Sequence, residues 1–145
     1  ALREGLADGT IDIVATDHAP HPTESKECEW QAASFGMIGL ETALSIVVKT
    51  MIESKLMSWS DLSDRLSIAP AKIAGYANQG EGLAVGNFAN ITVFNPNKRW
   101  TVNKDAAKSK SRNTPFHGME LPGVVTDVFY NGKQVMSDSK VLGNS

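Results

Sequence analysis

Ile11-Asp12-Ile13-Val14-Ala15-Thr16-Asp17-His18-Ala19-Pro20-His21-Pro22 changes character halfway along. Its first five residues are mostly β-branched and apolar. With the Asp8-Gly9 turn signal before them, they predict a strand of about five residues, apolar enough to be largely buried. Pro20 and Pro22 exclude a regular helix or strand over the second half, so the chain leaves the strand's C-terminal end in a loop. That end of a strand holds the active site in barrels and open α/β sheets. A carboxylate at Asp17 followed by His18 and His21 supplies the residue types for metal binding and proton transfer. The alternative reading of Asp17 is an Asx turn that accepts backbone N–H groups.

Outward from this stretch, Ala1–Ala7 reads as the end of a helix, with Leu2 and Leu6 on one face. The chain is therefore expected to be a piece of something longer. After a polar loop running to Phe35-Gly36, residues Leu40, Ala43, Leu44, Val47, Val48, Met51 and Ile52 recur at helical spacing. They predict an amphipathic helix over Gly39–Glu53. Ser60 is the expected N-cap of a second helix, and Pro70 opens a short third one that Gly75 ends. Beyond Gly80 the period changes. Asn90–Phe94 and Arg99–Val102 are expected as two strands separated by Asn95-Pro96-Asn97, and Lys104–Arg112 as a loop. Val124–Tyr130, Asn131-Gly132 and Lys133–Met136 predict a hairpin closed by a two-residue type I′ turn. The expected division is 1–79, one strand with helices, and 80–145, a β-rich tail.

Composition limits the partners. The chain has 145 residues, 14 Lys+Arg against 16 Asp+Glu, a net charge of −2 and 41% hydrophobic residues. That is the balance of a core-forming protein. It offers no general attraction to nucleic acid, and no apolar run suggests a membrane span. The single cysteine, Cys28, allows no internal disulfide and no cysteine-rich zinc site; a cytoplasmic location is expected.

Thr16-Asp17-His18-Ala19-Pro20-His21 resembles the end of the last barrel strand in cyclic amidohydrolases, above all type I dihydroorotases. So do Asp8–Asp12, Phe35–Thr42, Pro70–Ile73, Ser109–Phe116 and the hairpin around Asn131-Gly132-Lys133, in order along essentially the whole chain. Ala69 departs from the pattern where Asn is usual, and Asn87 and Asn90 stand where acids are common. The resemblance implies an α/β fold: the C-terminal end of a metal-dependent TIM-barrel hydrolase, then a tail belonging to a small composite β-sandwich. It implies Asp17 as a ligand of a zinc centre of one or two ions and as the general acid/base. A bound metal lowers the pKa of its water to about 7, and the carboxylate takes the proton released. His21 would bind the substrate's exocyclic carboxylate. Phe35 and Gly36 would meet the substrate through backbone groups, the glycine permitting close approach. His18 would support the metal site from behind. His117, Lys110 and Arg112 are read as surface or packing residues; Cys28 and Trp30, in the long loop after His21, are expected to help cover the site without chemistry of their own.

The implied reaction is reversible interconversion of dihydroorotate and N-carbamoyl-L-aspartate, with a small molecule as substrate. The implied partners are a missing N-terminal barrel segment and a second copy or aspartate transcarbamoylase. A His-x-His pair and a bridging lysine, which such a centre needs, are absent from these 145 residues, so the chain alone is expected to be inactive. Competing readings are a dihydropyrimidinase or allantoinase, a non-catalytic dihydroorotase-like scaffold subunit, and a free-standing β-rich binding module. The carboxylate-reading role of His21 favours dihydroorotate within the enzyme class, and Asp17 argues against the scaffold.

Overall fold

The structure is a computed structural model that describes residues 1–143. Helix α1, Leu2–Asp8, ends at Gly9 in the left-handed region (φ 89°), the usual way for glycine to stop a helix. Ile11–Ala15 then runs without a strand partner. The expected strand does not form among the described residues, because a strand needs a neighbour and no other strand lies beside it. Two backbone bonds hold it instead: Ile11 N–H to Gly5 O at 2.8 Å and Val14 N–H to Arg65 O at 3.1 Å. The Arg65 guanidinium adds a bond to Asp12 O at 3.2 Å.

The amphipathic segment folds as α2, Ala43–Val47, continuing directly into a π-helical turn, Val48–Ile52. The helix starts at Ala43 rather than at the expected Gly39, and Leu40 lies in the preceding turn, 65% exposed; the rest of the apolar face does what the periodicity predicts. Val47, Val48 and Met51 are buried with Met57 and Leu62, and Leu6, Val14, Leu66 and Phe94 pack against them. The second and third expected helices are one continuous run: α3, Trp59–Ser63, a π-helical turn, Asp64–Ile68, and α4, Ala69–Ala74. Ser58, not Ser60, caps it. The π turn explains how Pro70 sits inside a helix. Ala69 N–H takes the i−5 bond to Asp64 O, and Arg65 O, which the next residue would take at that spacing but for proline's lack of an N–H, accepts Val14 N–H instead. Gly75 ends the run in the left-handed region (φ 68°).

The tail is one antiparallel sheet in the order β1-β2-β3-β4: Ile91–Thr101, Glu120–Tyr130, Lys133–Ser137 and Lys140–Val141. The two strands expected on either side of Asn95-Pro96-Asn97 are a single strand, β1. The proline triplet is an irregularity between Asn95 and Arg99 rather than a stop, so the ladder slips and resumes. The hairpin is as expected, with Asn131 at φ 49° and Gly132 at φ 78° and Tyr130 opposite Lys133. Asn90 clasps its base: its Nδ2 donates to Asn78 O at 2.7 Å and its Oδ1 accepts from Asn131 N–H at 2.8 Å. An acid there could not donate, which makes physical sense of the amide at this position.

Sheet and helices join through Ser45, 3% exposed. Its hydroxyl donates to Gly123 O at 2.9 Å and accepts from Trp100 Nε1 at 3.0 Å, so a buried polar group is fully paired. No described helix is long and apolar enough to cross a membrane.

Candidate functional site

Three segments meet where Ile11–Ala15 ends: residues 16–22, 34–40 and 109–116. Asp17 stands at the junction with φ 43°, a left-handed conformation that Asp tolerates better than most residues. Its side chain is exposed. Among the described residues it accepts no backbone N–H, so it does not form the Asx turn that was the alternative reading, and it is free to meet a ligand.

His18 faces the other way. Its Nδ1 accepts the N–H groups of Gly39 (3.0 Å) and Leu40 (3.3 Å). An Nδ1 that accepts carries no proton, so the neutral ring keeps its hydrogen on Nε2. The ring thereby ties the loop to the turn that starts α2. The backbone agrees: His18 bridges to Met37 in parallel fashion, and Ala19 N–H bonds Met37 O at 2.9 Å.

His21 is half-buried, and the structure brings it against Gly36. A Cβ built on Gly36 would lie 2.5 Å from Ala19 Cβ and 3.7 Å from His21 Nε2, and Gly36 has φ 102°. Both the contact and the dihedral require glycine here. Phe35 is 94% exposed, so its ring is not part of the core. No hydrogen bond among the described residues joins Asp17 to His21, Phe35 or Gly36. A cavity of about 140 Å³ lies behind the loop between His18, Ile38, Trp100 and Val102. Neither Asp17 nor His21 lines it.

Two residues hold this arrangement, and nothing in the local sequence pattern marks either. The Lys26 ammonium donates to Ser34 O at 2.6 Å and Gly36 O at 3.1 Å. The Asn113 side chain bonds His21 N–H, Ala19 O and Gly36 O. Asn113 lies in the family-like stretch Ser109–Phe116, but no local pattern could show a contact made across 92 positions.

A family model described as the amidohydrolase family matches residues 1–135. The chain belongs to the amidohydrolase family. It is 52% identical over 141 residues to a dihydroorotase from Streptomyces coelicolor and 50% identical over 141 residues to one from Mycobacterium tuberculosis, covering 97% of this chain in each case. The chain spans about a third of the length of these curated relatives, 33% of each. Among solved amidohydrolase-like structures, the L-hydantoinase (dihydropyrimidinase) of Arthrobacter aurescens superposes with TM-score 0.89 at 30% identity, over 98% of this chain and 32% of that one. The D-hydantoinase (dihydropyrimidinase) of a Thermus species gives 0.88 at 27%, over 99% and 32%.

Membership of this amidohydrolase family implies a metal cofactor. The residues present fit it in part. Asp17 offers an unpartnered, exposed carboxylate, the kind of oxygen donor such a centre takes. The described residues contain no group of three His, Cys, Asp or Glu that could hold an ion, and a catalytic zinc site takes three protein ligands. Asp17 can therefore be one ligand, and the described residues do not complete the set.

Proposed function

We propose that this chain carries the proton-transfer corner of a dihydroorotase. The observation that carries the reading is Asp17: an exposed carboxylate with no hydrogen-bond or ion-pair partner among the described residues, held at φ 43° at the mouth of the loop that also carries His21. Relatives named dihydroorotase at 41–52% identity support it. In this reading residues 1–79 belong to the end of a TIM barrel, and residues 80–145 to a β-sandwich segment. Exposed Leu2, Leu40, Ile73 and Tyr76 fit a surface covered by the rest of such a barrel. The location is cytoplasmic.

A zinc centre of one or two ions would have Asp17 among its ligands and would supply a Lewis acid and a water of lowered pKa. Asp17 takes the water's proton as the water oxygen attacks the ring amide carbonyl of dihydroorotate. It then delivers that proton to the departing ring nitrogen, giving N-carbamoyl-L-aspartate. Run backwards, the same carboxyl group closes the ring. The His21 ring and the backbone at Phe35 and Gly36 receive the exocyclic carboxylate, which is why a substrate with that group is favoured over the uncharged rings suggested by the hydantoinase likeness.

The test uses the whole protein carrying this chain, loaded with zinc and assayed for dihydroorotate opening and N-carbamoyl-L-aspartate closure. Asp17→Ala should lower kcat/KM by roughly 10²–10⁴-fold, the usual worth of a positioned acid/base. Unimpaired turnover by that variant sinks the proposal. The 145-residue chain alone should show no turnover with added zinc.

A further inference from the structure

Asn113 is 92 residues from His21 in sequence, yet its side chain is bonded to both loops of the proposed substrate corner. Its Oδ1 accepts the His21 N–H at 3.3 Å; its Nδ2 donates to Ala19 O at 2.8 Å and to Gly36 O at 3.3 Å. The partners fix the amide's orientation, because the oxygen faces a donor and the nitrogen faces two carbonyls. Its own carbonyl accepts Ile38 N–H at 3.1 Å. The side-chain amide spans Pro20, bonding the carbonyl before it and the N–H after it, as a residue of a neighbouring strand would. Gly36 O is held a second time, by Lys26 Nζ at 3.1 Å.

We infer that Asn113 is a positioning residue for carboxylate recognition. It fixes His21 and Gly36 relative to each other, with Lys26 as the second support at the Gly36 carbonyl. The inference deepens the dihydroorotase reading and rests on it. It places the effect in binding rather than in proton transfer, since no bond from Asn113 reaches Asp17. Loss of the amide should let the 19–21 and 36–38 backbones drift apart while leaving the acid/base in place.

The experiment again uses the whole metal-loaded protein. Asn113→Leu keeps the approximate volume and removes all three side-chain bonds. It should raise KM for dihydroorotate about tenfold or more while kcat stays within about threefold, the signature of lost substrate binding. Lys26→Met should raise KM by a smaller factor. The double variant should fall short of the product of the two, because both donors act on one carbonyl. An unchanged KM, or a kcat loss as large as the KM rise, overturns the inference. Amide hydrogen exchange gives an independent reading: in Asn113→Leu the His21 amide should exchange faster while Val102, bonded to Met119 O in the tail, keeps its protection. An unaltered His21 amide also overturns it. Where Asn113→Leu fails to fold, the KM of Lys26→Met decides in the same way. If the unmutated protein leaves dihydroorotate untouched, the functional reading falls, and the exchange result alone decides whether Asn113 positions the loops.

Discussion

The hairpin at Val124–Ser137 and the first half of Ile11–Pro22 are both rich in β-forming residues, yet they are held in different ways. In the hairpin, Val128 faces Met136, Phe129 faces Gln134 and Tyr130 faces Lys133, and β1 lies along its other edge. In Ile11–Pro22 there is no ladder. Arg65 takes up Asp12 O, Asn113 takes up Ala19 O and His21 N–H, and His18 reaches across to the turn before α2. A β-branched run says that a segment suits a pleated, half-buried surface. It does not say who the neighbour is. Here one side-chain amide, an imidazole and a guanidinium do much of what a strand does elsewhere, and the result is a loop whose shape depends on a few long-range contacts.

The largest stability effect should come from the region with the strand ladder. Leu121 on β2 is 0% exposed and stands opposite Trp100. Leu121→Ala should cost about 2–5 kcal/mol, measured by urea denaturation of the chain. A loss below about 1 kcal/mol would mean that the sheet tolerates a cavity there, and that its stability comes from hydrogen bonds rather than packing.

Two glycines sharpen the contrast. Gly36 has φ 102° and an alanine Cβ there would sit 2.5 Å from Ala19 Cβ; Gly132 has φ 78° but open space around it. Gly36→Ala combines dihedral strain with a clash and should cost about 1–3 kcal/mol. It should also loosen the Ala19 N–H bond to Met37 O, seen as faster exchange of the Ala19 amide. Gly132→Ala brings strain alone and should cost about 1 kcal/mol. Equal losses at the two sites would mean that the loop yields as easily as a hairpin turn, and that the Gly36 contact is not held firmly.

Legibility in the sequence divides along the same line. The hairpin and the glycine stops at Gly9 and Gly75 are set by residues within a few positions of each other and formed as the pattern predicts; the α2 face did so only from Ala43 on, with Leu40 left outside the helix. Ile11–Ala15 was legible as a β-type segment but not as unpaired, since pairing is decided by chain far away. Asn95-Pro96-Asn97 reads as a stop, whereas β2 carries the strand across it by a register slip. At the site, residue types and resemblance pointed to Asp17, His21, Phe35 and Gly36. The meeting of His21 with Gly36, and the amide and ammonium that hold it, exist only in three dimensions.

The smallest expected effect lies at the start of α3, where the capping contacts are local and yet the N-cap falls two residues before the one the pattern suggests. Ser60 has the right side chain for an N-cap, but Ser58 also has Asp61 three positions on. Ser58 Oγ accepts Asp61 N–H at 3.2 Å, while Asp61 Oδ2 accepts Ser58 N–H at 2.8 Å, so two orphan donors are satisfied reciprocally. Ser58→Ala removes one of them and should cost about 1 kcal/mol; Ser60→Ala should cost less. The carboxylate also gives the cap a pH dependence. The Ser58 backbone N–H, then its hydroxyl, hold the Asp61 carboxyl below its ordinary range. Its folded pKa is thus below its unfolded one, so the contribution is present above the unfolded value and lost as pH falls through the folded value. An acid titration of the Asp61 side-chain carboxyl by NMR should give a midpoint below that of a free aspartate. Most of the shift should disappear in Ser58→Pro, which lacks both donors and leaves only the weaker pull of the Arg65 charge, while Ser58→Ala keeps the backbone part. A midpoint unmoved by either change would show that the reciprocal pair does not form, and would return the helix start to Ser60.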